Sequence, residues 1–125
     1  MNELKVYKCT ICGTVVEMLN GNSGSLTCCG QNMVELKANT ADAAVEKHVP
    51  AIEIKGDEII ARVGEVSHPM EADHYIMWIT LVYDNTEIRV NLKAGDVPEA
   101  KFPYIPNSVV YAYCNKHGLW KADVK

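Results

Sequence analysis

The sequence predicts an all-β chain: a small N-terminal metal domain followed by a larger antiparallel β-sandwich. Three observations point there. Four of the five cysteines (Cys9, Cys12, Cys28, Cys29) crowd into the first 29 residues, whereas all four histidines (His48, His68, His74, His117) lie beyond residue 47. Short apolar stretches separated by Gly, Asn, Asp and Pro recur from residue 51 onward, as a sandwich of short strands requires. No long stretch carries the 3.6-residue periodicity of an amphipathic helix.

In chain order, Val6-Tyr7-Lys8 reads as a strand entering the turn Cys9-Thr10-Ile11-Cys12-Gly13, and Val15 to Leu19 as its partner. Asn20-Gly21-Asn22-Ser23-Gly24 reads as a loop on turn chemistry. So short a unit buries too little apolar surface to hold itself together and needs a metal or crosslink. Lys37 to Val45 is polar and alanine-containing and reads as a linker, with Asn39 or Thr40 as the expected cap of one helical turn through Ala43-Ala44-Val45. The boundary is accordingly expected near residue 37, giving domains 1–37 and 38–125. Beyond it, Ala51–Ile54 and Ile59–Val63 flank the turn dipeptide Gly56-Asp57 and read as a hairpin. Tyr75–Tyr83, Glu87–Leu92, Val109–Tyr113 and Leu119–Val124 are the further strands. Asp84-Asn85, Ala94-Gly95-Asp96 and Pro106-Asn107 mark turns among them.

Composition removes some functions. With 22% charged residues and a net charge of −4, the chain lacks the basic face that nucleic acid calls for. The longest strongly apolar stretch, Tyr75 to Tyr83, falls far short of the roughly 20 residues that span a bilayer. Met1 to Lys5 shows none of the basic-then-apolar pattern of a secretory leader, so a cytoplasmic location is expected. There, clustered cysteines point to metal or redox chemistry more than to disulfides.

Cys9-x-x-Cys12 puts two thiolates on one turn, and the adjacent pair Cys28-Cys29 completes four soft ligands for a tetrahedral ion. Adjacent cysteines open a different angle at the metal from a spaced pair, so the tetrahedron is expected to be distorted. On spacing alone, zinc and iron fit equally. The second group comprises His48, His68, His74, Cys114 and His117, set at expected loop ends with a Cys-x-x-His turn near the C-terminus. Five protein donors overfill structural zinc, which is nearly always four-coordinate, but leave one position free on six-coordinate iron.

The cysteine pattern resembles desulforedoxin and the N-terminal domain of desulfoferrodoxin. Glu46-Lys47-His48-Val49-Pro50, His68-Pro69-Met70 and Tyr113-Cys114-Asn115-Lys116-His117-Gly118-Leu119-Trp120 resemble the three signature segments of the superoxide reductases, in the same order. The resemblance covers essentially the whole chain. It implies a desulforedoxin-like domain followed by an immunoglobulin-like sandwich, with two non-haem irons per chain. One would be Fe(Cys)4 on Cys9, Cys12, Cys28 and Cys29. The other would be Fe(His)4Cys, with His48, His68, His74 and His117 equatorial and Cys114 axial.

The implied activity is one-electron reduction of superoxide to hydrogen peroxide, in a homodimer supplied with electrons by rubredoxin or a similar carrier. Lys47 is then expected to draw the anionic substrate inward and hold a proton-donating water, with Lys116 as a weaker second cation. Glu46 is expected to cap the oxidised site, because a hard carboxylate suits ferric iron. Three rival readings fit these residues less well. A superoxide dismutase would use histidines and a carboxylate without Cys114. A non-catalytic electron carrier would not need the histidine group with its adjacent lysine. A zinc-ribbon regulator fits neither the acidic balance nor the histidines.

Overall fold

The computed structural model describes residues 3–21, 26–41, 43–64 and 66–125. Met1, Asn2 and Asp42 lie outside the described residues, as do Asn22, Ser23 and Gly24 of the expected loop. The chain divides into two compact units, Glu3–Lys37 and a larger one running from Ala38 to Lys125.

The smaller unit is a three-stranded antiparallel sheet in which β1 (Val6–Lys8) lies between β2 (Val15–Glu17) and β5 (Val34–Leu36). A second ribbon, β3 (Thr27–Cys28) with β4 (Gln31–Asn32), forms the knuckle that carries the adjacent cysteine pair. β3, β4 and β5 were not legible as strands, because two or three residues with no alternation give no period to read. The Cys9–Gly13 turn closes through the Gly13 N–H to the Cys9 carbonyl at 2.9 Å. Gly13 sits there at φ 80, a conformation that costs a residue without a side chain nothing.

The larger unit is an antiparallel, immunoglobulin-like sandwich. One sheet holds β6 (Pro50–Lys55), β7 (Glu58–Val63) and β10 (Glu99–Pro103) in the order β10-β7-β6. The other holds β8 (Ile76–Tyr83), β9 (Thr86–Asn91), β11 (Val109–Cys114) and β12 (Gly118–Asp123) in the order β12-β11-β8-β9. The two-residue turns fall where they were read. Lys55 pairs with Glu58 across Gly56-Asp57, and Tyr83 with Thr86 across Asp84-Asn85. Ile59, Ala61, Val63, Ala100 and Phe102 from one sheet meet Ile79, Leu81, Val110, Ala112 and Cys114 from the other, all buried in one core.

β10 escaped the sequence reading. Its alternation of buried Ala100 and Phe102 with outward Glu99, Lys101 and Pro103 is regular, but prolines at 98, 103 and 106 read as loop. As the outer strand of its sheet, β10 has an unpaired side that tolerates a terminal proline.

The expected helical turn also needs correction. Among the described residues the helical turn, α1, spans Val45–His48, and its N-cap is Ala44 with no side-chain cap bond. Asn39 serves another purpose. In the left-handed conformation (φ 62), it accepts the Lys121 N–H at 2.8 Å and donates Nδ2 to the Lys121 carbonyl at 3.2 Å, fastening the linker to β12.

Candidate metal centres

In the smaller unit, the sulfurs of Cys9, Cys12, Cys28 and Cys29 all lie within 4.8 Å of one another. Cys12 Sγ and Cys28 Sγ are 3.6 Å apart, and the adjacent pair Cys28 and Cys29 is 3.9 Å apart. A tetrahedron with metal–sulfur bonds of about 2.3 Å has edges of about 3.8 Å, so this spacing fits one soft ion. Two neighbouring residues manage it because Cys29 adopts φ 53, which turns its side chain back toward that of Cys28.

The Thr14 hydroxyl lies 3.0 Å from Cys12 Sγ and, together with the Thr14 backbone, lowers that thiol from an ordinary 9.0 to about 6. Cys28, facing the Cys12 sulfur, is pushed up to about 12, and Cys29 is raised by the same neighbour. Four thiols this close cannot all ionise unless a cation shares the charge.

In the larger unit, one rim of the sandwich gathers the second group. His48 ends α1, His68 follows β7, His74 precedes β8, Cys114 ends β11 and His117 stands in the turn leading to β12. Their donor atoms also lie within 4.8 Å of one another. The register of β11 against β8 shifts between Tyr113 and Cys114, so that Cys114 stands opposite Ile76 rather than Met77. This bulge turns both Cys114 and Ile76 inward at the rim.

Each ring is aimed by what holds its far side. The Nδ1 atoms of His48 and His68 lie 2.7 Å from the carbonyls of Ala44 and Pro69, so each donates there and leaves Nε2 as a lone pair facing inward. Those two Nε2 atoms are 3.0 Å apart, and His117 Nδ1 is 3.1 Å from that of His48. Nε2 of His74 is buried without any hydrogen-bond partner. Lone pairs converging on one another, with one orphaned among them, are what a cation would satisfy.

Burial strengthens the fit. Desolvation depresses His48 and His74 and takes His68 from 6.5 to about 4, so the imidazoles stay neutral and able to ligate. Burial likewise raises the Cys114 thiol, while the N–H groups of Lys116 and His117 pull it the other way and stand ready to receive the charge of a thiolate. Trp120 closes the floor: it stacks on His48 with centroids 4.9 Å apart and donates Nε1–H to the His117 carbonyl at 3.0 Å. Sequence reading placed Trp120 in the motif without a role; its spacing of three from His117 was the available signal.

All nine expected ligands are therefore brought together in two groups. Glu46 and Lys47 sit on α1 beside His48 with exposed side chains that make no hydrogen bond or ion pair among the described residues. The Lys47 charge is nevertheless felt at the site, being one of the influences that depress His48. Lys116 lies 3.9 Å from Asp73 in an exposed pair.

Comparisons with known proteins agree in both units. The family description "Desulfoferrodoxin, N-terminal domain" matches residues 1–36, and "Desulfoferrodoxin" matches residues 40–123. A desulfoferrodoxin of Syntrophotalea carbinolica is 52% identical over 122 residues, covering 97% of each chain. A superoxide reductase of Pyrococcus abyssi is 31% identical over 113 residues, covering 74% of this chain and 98% of its own. Among solved structures, the superoxide reductase from Treponema pallidum matches with a TM-score of 0.75 at 30% identity, covering 96% of this chain and 98% of its own.

Proposed function

The chain belongs to the desulfoferrodoxin family, and from that footing we propose that it is a superoxide reductase working at an Fe(His)4Cys centre in its larger unit. The observation that carries the reading is the convergence of four imidazoles and one thiol at one rim of the sandwich, with the buried, orphaned His74 Nε2 among them. His48, His68, His74 and His117 would hold the iron together with Cys114, and Cys9, Cys12, Cys28 and Cys29 would hold a second. The domains are 1–37 for the four-cysteine iron and 38–125 for the other.

Held by the histidine group, a ferrous ion would supply the one electron that, with two protons, converts superoxide to hydrogen peroxide. The chain's own residues arrange the rest. Lys47, exposed beside His48, offers a positive potential on a net-negative protein and raises the encounter rate with a small anion. Its ammonium also holds a water as proton donor. Glu46, one residue further from His48, provides a carboxylate for the resting oxidised site. Trp120 and the buried wall behind it keep solvent from the inner side, so protons arrive from the Lys47 side.

Electrons reach the site from rubredoxin or a similar small carrier, and the working form is a cytoplasmic homodimer. No helix among the described residues is long and apolar enough to cross a membrane. Cys114→Ser tests the reading: it should abolish the sulfur-to-iron charge-transfer band of the oxidised protein and most of the superoxide reaction. Survival of the band would remove Cys114 from the ligand set.

A further inference from the structure

We infer that Asn115 is a positioning residue that aims His74 at the histidine centre. The inference rests on the reading of that group as a metal site. His48 and His68 are each fixed by a ring bond to a backbone carbonyl, whereas His74 lies on the arm between His68 and β8. At the base of that arm, the β11–β8 ladder is interrupted by its bulge, and the last backbone bond, Asn115 N–H to the Tyr75 carbonyl, is long at 3.3 Å.

The Asn115 side chain continues the ladder in its place. Its Oδ1 accepts the Tyr75 N–H at 3.0 Å, and its Nδ2 donates to the Asp73 carbonyl at 3.0 Å. Those groups belong to the two peptide units on either side of His74, so one amide fixes both. The N–H and carbonyl of His74 itself pair with Glu71, at 3.2 and 2.9 Å. The backbone that carries the imidazole is thus held on every side. Because Asn115 directly follows Cys114, the clamp couples the placement of His74 to that of the thiolate. The Asn amide offers a donor and an acceptor in one plane, and Gln would set the same pair a methylene further out.

Support of this kind typically governs metal affinity by about 10- to 100-fold. The test compares iron release from the loaded wild type, Asn115→Leu and Asn115→Asp under challenge with EDTA. Asn115→Leu removes both bonds at similar volume, whereas Asn115→Asp keeps the acceptor for Tyr75 and loses the donor to Asp73. Release from the histidine site should quicken about 10- to 100-fold in Asn115→Leu and by less in Asn115→Asp. Release from the four-cysteine site and amide exchange in β8 and β11 should stay as in the wild type. Wild-type release in both variants would overturn the inference. So would quickened release that only tracks faster exchange across β8 and β11, which would mark a general structural role. If Asn115→Leu fails to fold, Asn115→Asp decides alone on the same criteria. A wild type whose histidine group holds no iron would instead sink the underlying metal assignment.

Discussion

Gly64→Ala should loosen the histidine centre without touching any ligand. Gly64 follows β7, where the chain passes against the backbone of α1. A Cβ there would stand 2.7 Å from the Glu46 carbonyl oxygen, 2.9 Å from the Lys47 carbonyl carbon and 3.0 Å from the Val49 carbonyl oxygen. All three are backbone atoms, so no side chain can rotate away. Reaching the ordinary 3.4 Å contact moves α1 outward by roughly 0.7 Å. Overpacking of this kind costs about 1–3 kcal/mol. Disturbing the Val66 N–H bond to the Glu46 carbonyl, now 2.9 Å, adds about 1 kcal/mol.

The loss of stability should therefore be about 2–4 kcal/mol. His48 rides on α1, and a shift of that size exceeds the roughly 0.2 Å within which metal–ligand distances hold. Urea unfolding of the metal-free chain, followed by the fluorescence of Trp78 and Trp120, reads the stability. Chelator challenge of the loaded protein reads the site, where the histidine iron should leave faster and the four-cysteine iron should not. An unchanged urea midpoint together with unchanged release would refute the argument that glycine is there to admit α1.

Lys47→Ile should slow the reaction with superoxide roughly tenfold at low salt and flatten its dependence on ionic strength; an unchanged low-salt rate would remove the steering role. Cys12→Ser should take away the four-cysteine iron while the histidine iron still reacts, as metal analysis alongside rapid-mixing kinetics would reveal. Acid should destabilise the metal-free chain. Burial takes His68 from 6.5 to about 4, so between those values the unfolded chain binds more protons than the folded one. This contribution is intact above pH 6.5 and is lost as the pH falls toward 4. Urea midpoints from pH 7 to 4 should decline more steeply in the wild type than in His68→Leu, and equal slopes would contradict the assignment.

The parts that were legible in the sequence are those governed by local chemistry. Gly56-Asp57 and Asp84-Asn85 announced their hairpins because two-residue turns demand positive φ, which Gly56 and Asp84 adopt. The two donor groups were legible because four cysteines crowd at metal-ligand spacing and the histidine segments resemble the signature segments of a known family. What stayed hidden depends on distant partners. Asn39 looked like a helix cap, yet its bonds go to Lys121, 82 residues away. Asn115 acts on Asp73 and Tyr75, some 40 residues back, and no pattern around Cys114 signals that. The bulge that turns Cys114 inward arises from pairing between two strands, and neither strand shows it alone.

The most direct test is a product count. Superoxide is added anaerobically to the pre-reduced protein, and the peroxide formed and dioxygen released are measured per superoxide consumed. A superoxide reductase should give one peroxide per superoxide, no enzyme-derived dioxygen, and matching oxidation of the histidine-site iron. Dioxygen at half the superoxide consumed would mean a dismutase, and no acceleration over the uncatalysed background would leave an electron carrier; either result would rule out a superoxide reductase.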